Sequence, residues 1–122
     1  SIELDVSQAV PVGLIVNEAV TNSIKYAFPH RKEDNEISIS FKKLNENSVI
    51  LVITDNGVGI STPKESPPSL GLKLMRGLTE DIDGIFAIES NHGVTIKIEF
   101  VANMPFQKIA EAPASRRILQ TA

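Results

Sequence analysis

The chain has 122 residues, 42% hydrophobic and 22% charged, and its 12 basic against 15 acidic side chains leave a formal net charge of −3. That length suits one domain with one buried core, and mild acidity, relieved only by the pairs Arg31-Lys32 and Arg116-Arg117, argues against a nucleic-acid or anionic-membrane partner. Cysteine is absent and histidine occurs only at His30 and His92, which excludes disulfides, thiolate catalysis and Cys-ligated zinc and leaves room for an oxygen-held Mg²⁺.

No apolar run approaches the roughly 20 residues that span a bilayer, and the opening Ser1-Ile2-Glu3-Leu4-Asp5 has no basic region of a signal peptide. A cytoplasmic location is expected, with no direct membrane contact by this chain. A start at Ser rather than Met reads as a piece of a longer protein, whose own membrane attachment is left open.

Ile2 to Val6 alternates apolar and acidic residues and is expected to form a short strand. Pro11 suits the first turn of a helix, whose apolar periodicity continues to about Ala27 before Pro29 stops it. His30 to Asn35 is a charged loop. Glu36 to Leu44 alternates as a strand, with Ile37, Ile39 and Phe41 on one side, and Asn45-Glu46-Asn47 reads as a turn. The run Val49 to Ile53 predicts a central strand covered on at least one face.

Asp55 to Pro68 is a loop with two glycines and three prolines. A second helix is predicted from Leu70 to about Asp83, with Gly84 at its end. Ile85 to Glu89 and Val94 to Val101 pair as a hairpin around Asn91-His92-Gly93. The domain is expected over residues 1–101. Residues 102–122 form a polar, Ala-rich tail or linker, with a short helix near Ser115 to Gln120 as one option. This order implies helices on one face of a largely antiparallel sheet.

On a wheel of the first helix, Val16, Val20, Ser23 and Ala27 form the core face, with Val12, Gly13 and Ile24 at its margins. Glu18, Asn22 and Lys25 cluster on the other side, flanked by Thr21 and Tyr26 and near Leu14 and Ile15. Such a face is either solvated or the wall of a pocket. As a pocket it offers an amide and a carboxylate for Mg²⁺ and an ammonium for phosphate.

Asp55-Asn56-Gly57-Val58-Gly59-Ile60 contains the Asn-Gly signal of a hairpin. The prolines that follow cannot supply a returning strand. Two glycines one residue apart let the backbone approach a ligand, and Asp55 would present an acceptor suited to an exocyclic amine such as that of adenine. At Ser69-Leu70-Gly71-Leu72 the alternatives are an N-cap with a packing glycine or a helix start that binds phosphate.

Together these residues carry a family likeness. Val12 to Pro29, through Asn17-Glu18, Thr21-Asn22 and Lys25-Tyr26, resembles the N box of bacterial sensor histidine kinases. Asp55-x-Gly57-x-Gly59 is similar to their G1 box, and Ser69-Leu70-Gly71-Leu72 to the shortened G2 box of one subgroup. The likeness spans about Ala9 to Phe100. It implies an α+β fold, the two-layer α/β sandwich of the GHKL ATPases (the Bergerat fold), with helices on one face of a mixed, mostly antiparallel sheet.

The resemblance also implies roles. Asn22 would coordinate the Mg²⁺ bridging the phosphates of ATP. Glu18 would organise water or metal, Lys25 would contact phosphate, and Tyr26 would lie against the base. Asp55 would accept from the adenine amine, with Gly57, Gly59 and Ile60 lining the approach. Leu70, Gly71 and Leu72 would bring backbone N–H groups to phosphate, and Thr95 would join the water network around Asp55. Ser69 stands where glycine is commoner, no phenylalanine-rich box separates G1 from G2, and the lid from Ser61 to Ser69 is short.

The activity so implied is phosphoryl transfer from Mg-ATP to a histidine on a separate helical dimerisation domain of the same parent, and onward to a response regulator. Neither His30 nor His92 has the helical acidic setting of an acceptor, so little autophosphorylation is expected of this chain alone. The alternatives are a serine/threonine kinase of the anti-sigma-factor type and a nucleotide-binding interaction module without transfer activity.

Overall fold

The computed structural model describes residues 2–28, 34–59 and 70–103. In chain order they form α1 (Val6–Asn22), a five-residue π-helical turn (Ser23–Ala27), β1 (Ile37–Lys43), β2 (Ser48–Asp55), α2 (Leu70–Asp81), β3 (Ile85–Ser90) and β4 (Val94–Val101). The strands make one four-stranded sheet in the order β1-β2-β4-β3, and every pairing is antiparallel. The expected mixed sheet is therefore purely antiparallel among the described residues.

Alternation builds the two-layer arrangement. Val49, Leu51, Ile53 and Asp55 on β2 are buried in turn, and Ile96, Ile98 and Phe100 on β4 line the same face. Ile15 and Ala19 of α1 and Met75 of α2 cover that face. Phe41 and Phe100 stack within it, with ring centroids 6.2 Å apart. Each large aliphatic in this layer contributes about 1.5–3 kcal/mol relative to exposure. The opposite face carries Ser38, Ser40, Thr54, Thr95, Lys97 and Glu89, the last two joined by a 3.9 Å ion pair.

Two expectations at the N-terminus are corrected. Ile2 to Val6 is not a strand: Ile2 to Asp5 lies outside any sheet, and Val6 already begins α1. Ile2 and Leu4 instead rest against the core, while the Asp5 carbonyl accepts from the N–H of Gln8 and Ala9 and so starts the helix. Pro11 therefore sits inside α1 rather than in its first turn, where it leaves the Ser7 carbonyl without its helical donor.

The wheel also needs rotating. Ile15, placed beside the polar cluster, is fully buried, whereas Ile24, placed at the core margin, is 65% exposed. The buried stripe runs Gln8, Ile15, Ala19, Ser23, Ala27, which puts Glu18 and Asn22 at its rim beside α2 rather than opposite it.

α2 ends at Asp81, short of the expected Asp83. Asp83 takes a left-handed φ of 54°, and Gly84 closes the end by donating to the Thr79 carbonyl at 2.9 Å. The chain stays with the domain through Asn103. Gln8 Nε2 donates to the Val101 carbonyl at 2.8 Å, and the Asn103 N–H donates to Gln8 Oε1 at 2.7 Å.

Candidate functional site

One end of the sandwich gathers the end of α1, the end of β2, the start of β4 and the start of α2. Asp55, the last residue of β2, continues the alternation that buries Leu51 and Ile53, so its carboxylate enters the core side of the sheet with 7% exposure. Its Oδ1 accepts from the N–H of Gly57 at 2.9 Å and of Val94 at 3.2 Å, and its Oδ2 accepts from Ser23 Oγ at 2.8 Å. A carboxylate offers about four acceptor sites. Among the described residues, one on Oδ2 stays uncommitted.

The glycine loop folds back onto the π turn. Val58 donates its N–H to the Ala27 carbonyl at 2.9 Å, and a Cβ added to Gly57 would collide with the carbonyl and methyl of Ala27. Only glycine permits that approach. Gly59 adopts φ 82°, a region that side chains disfavour. The Asn-Gly pair is thus no hairpin turn: Asn56 Oδ1 accepts from the Glu36 N–H at 2.8 Å and pins the loop to the start of β1.

Across the gap, the first turn of α2 meets the rim of α1. A Cβ placed on Gly71 would overlap the Glu18 carboxylate and lie 3.1 Å from Asn22 Nδ2. Glu18 and Asn22 are both half-buried, and neither side chain hydrogen-bonds another described residue. A carboxylate and an amide one turn apart, uncommitted and facing a helix start, are hard oxygen donors of the kind Mg²⁺ takes together with phosphate oxygens. The pair fits that ion, and no group of three His, Cys, Asp or Glu among the described residues offers a rival site.

The remaining expected site residues divide. Lys25 and Tyr26 are exposed, Tyr26 by 69%, on the outer side of the π turn. The turn lies past Asn22, where bonds to the fifth residue replace bonds to the fourth, so a wheel drawn at α-helical pitch misplaces them. Leu70 is exposed and Leu72 packs on the core, leaving Gly71 as the member of that trio beside Glu18 and Asn22. Thr95 does not join Asp55: its hydroxyl lies 2.6 Å from that of Thr54 on the opposite face of the sheet, because the two are register partners. Ile60, the lid from Ser61 to Ser69, His30 and the tail from Met104 onward lie outside the described residues.

The family model for the histidine kinase-like ATPase domain matches residues 1–100. The chain belongs to that family. The nitrate/nitrite sensor protein NarQ of Escherichia coli is 32% identical to the ATPase domain over 102 residues, which are 82% of the chain and 17% of NarQ. The sensor histidine kinase/phosphatase LytS of Staphylococcus aureus is 40% identical over 50 residues, 41% of the chain and 9% of LytS. The ATPase domain thus spans under a fifth of the length of these relatives. Among solved structures, the histidine kinase domain of the Erythrobacter litoralis EL346 blue-light activated histidine kinase superposes with a TM-score of 0.72 at 21% identity, covering 82% of this chain and 50% of that one. The mycobacterial sensor histidine kinase MprB gives 0.62 at 18% identity, covering 77% and 72%. These two likenesses establish the fold.

Three residues that sequence reasoning left out of the candidate site also meet there: Ser23, the backbone of Val94, and Ala27. Ser23 carried a signal, since a hydroxyl in an apolar stripe requires a partner when buried. The Val94 N–H carried none, because a backbone donor shows in no residue type. A separate cavity of about 350 Å³, lined by Ser7, Gln8, Asp81 and Val101 among others, lies at the opposite end of the sandwich. No helix among the described residues is long and apolar enough to cross a membrane.

Proposed function

We propose that this ATPase domain is the catalytic ATP-binding part of a bacterial two-component sensor histidine kinase. The observation that carries the reading is Asp55, a buried carboxylate with three of its acceptor sites filled and one left for a single donor. The 6-amine of adenine supplies such a donor. Gly57 and Gly59 let the base approach, and the exposed ring of Tyr26 is free to fold against it.

At the other end of the nucleotide, the N–H groups at the start of α2 attract phosphate. Gly71, between Leu70 and Leu72, presents no side chain there, where the flexible Glu18 carboxylate can give way to phosphate, and Lys25, exposed on the π turn, supplies a point charge. Asn22, with Glu18 beside it, holds Mg²⁺, which when bound neutralises charge on the phosphates. Glu18 also orients water. These residues bind and orient; the γ-phosphorus to β-oxygen bond breaks as a bond to an imidazole nitrogen forms, and ADP leaves. The imidazole belongs to a helical dimerisation domain of the parent, from which the phosphoryl group passes to an aspartate of a response regulator. The domain works in the cytoplasm.

The test mixes this chain with the parent's helical dimerisation domain and ATP labelled at the γ-phosphate. Acid-labile, alkali-stable label on that domain is expected. Acid-stable label on serine or threonine would favour the anti-sigma-factor type of kinase. ATP binding without any transfer would leave a nucleotide-binding interaction module.

A further inference from the structure

We infer that Ser23 is a positioning residue that sets the preference for adenine, by fixing the Asp55 carboxylate with a single acceptor site to spare. The inference deepens the nucleotide reading above and rests on it. Ser23 opens the π turn at 8% exposure, within a stripe whose other members near the site, Ala19 and Ala27, are apolar. A buried hydroxyl is costly unless paired, and this one donates to Asp55 Oδ2 at 2.8 Å. Its proton is therefore committed to the carboxylate.

Three elements hold that carboxylate: the π turn through Ser23, the glycine loop through the Gly57 N–H, and the start of β4 through the Val94 N–H. Both N–H groups go to Oδ1, so the free site lies on Oδ2, in a direction that Ser23 fixes. A base with one exocyclic amine satisfies it. A 6-oxo base sets oxygen against oxygen. The paired donors of guanine require an open site on each carboxylate oxygen, and Oδ1 has none left. Without the Ser23 hydroxyl, Oδ2 loses its only donor among the described residues, and water competes for both of its sites.

Calorimetric titration with ADP and with inosine diphosphate, which carries oxygen in place of the 6-amine, tests this. Wild-type protein is expected to prefer ADP. Ser23→Ala should weaken ADP by about tenfold, the scale of one hydrogen bond to a charged group, and leave inosine diphosphate within about twofold. In an Asp55→Asn background the same change should have no further effect on the preference. Equal weakening of both nucleotides, or an unchanged preference, would overturn the role of Ser23 while leaving the nucleotide reading standing. A wild type without preference for ADP would overturn that reading, and this inference with it.

Discussion

The Glu18 carboxylate lies against the α-carbon of Gly71, so the rim of α1 and the first turn of α2 share one anionic group. A carboxylate is favourable at a helix start, where unpaired N–H groups carry partial positive charge. A phosphate would compete for the same place. Glu18 thus reaches the phosphate end of the proposed site, and the missing side chain at Gly71 is what lets it do so.

Gly71→Ala separates folding from binding. The added methyl meets the far end of a flexible Glu18 side chain rather than backbone. Alanine is the better helix former, which offsets any loss of the Glu18 contact, so stability should stay within about 1 kcal/mol. Affinity for Mg-ATP should fall by tenfold or more. Urea unfolding alongside nucleotide titration reads both. Loss of stability with binding retained would mean that Gly71 serves packing alone.

Asp55→Asn keeps the shape of the buried network. The amide oxygen can replace Oδ1 for the Gly57 and Val94 N–H groups, and the amide nitrogen can donate to Ser23 Oγ in place of accepting from it. Stability should change by no more than about 1 kcal/mol. Asp55→Ala orphans both N–H groups and the hydroxyl and should cost about 2–4 kcal/mol. Equal destabilisation in the two variants by thermal unfolding would show that the negative charge itself holds the fold.

Asn22→Ala removes the amide from the proposed metal pair without touching the Asp55 network. ADP affinity measured in a chelator should be unchanged, while the gain on adding Mg²⁺ should shrink at least fivefold. An undiminished gain would remove Asn22 from the metal site.

Gln8→Ala acts at the far end. It breaks both bonds that tie Val101 and Asn103 to α1 and should cost about 1–3 kcal/mol of stability. The preference for adenine nucleotides should be untouched. A change in that preference, measured where the variant is fully folded, would mean the two ends of the sandwich are coupled.

Most of the sheet was legible because alternation survives single-sequence reading: β1, β2 and the β3–β4 hairpin fall within a residue or two of expectation. The Ile2 to Val6 segment alternates equally well but pairs with no strand, and alternation alone cannot report a missing partner. The placement of Asp55 at the end of a buried strand was legible from alternation, while the close approach at Gly57 proves to be to the Ala27 backbone, a tertiary contact that sequence does not show. Thr95 misled, since β-register sends its hydroxyl to the opposite face. Lys25 and Tyr26 were grouped with Glu18 by a pitch that the π turn breaks. Ser23 lies in the buried stripe, as its place on the wheel predicts, while its bond to Asp55 joins residues far apart in the chain and depends on tertiary packing.

On the proposed function, Asp55 reads the base of ATP. Calorimetric titration of the chain with Mg-ATP and Mg-GTP, repeated with Asp55→Asn, tests it most directly. Wild-type protein should bind Mg-ATP in preference to Mg-GTP, and the variant, folded to the same stability, should lose that preference with at least a tenfold drop in ATP affinity. A folded variant that binds Mg-ATP as tightly and as selectively as wild type would contradict it.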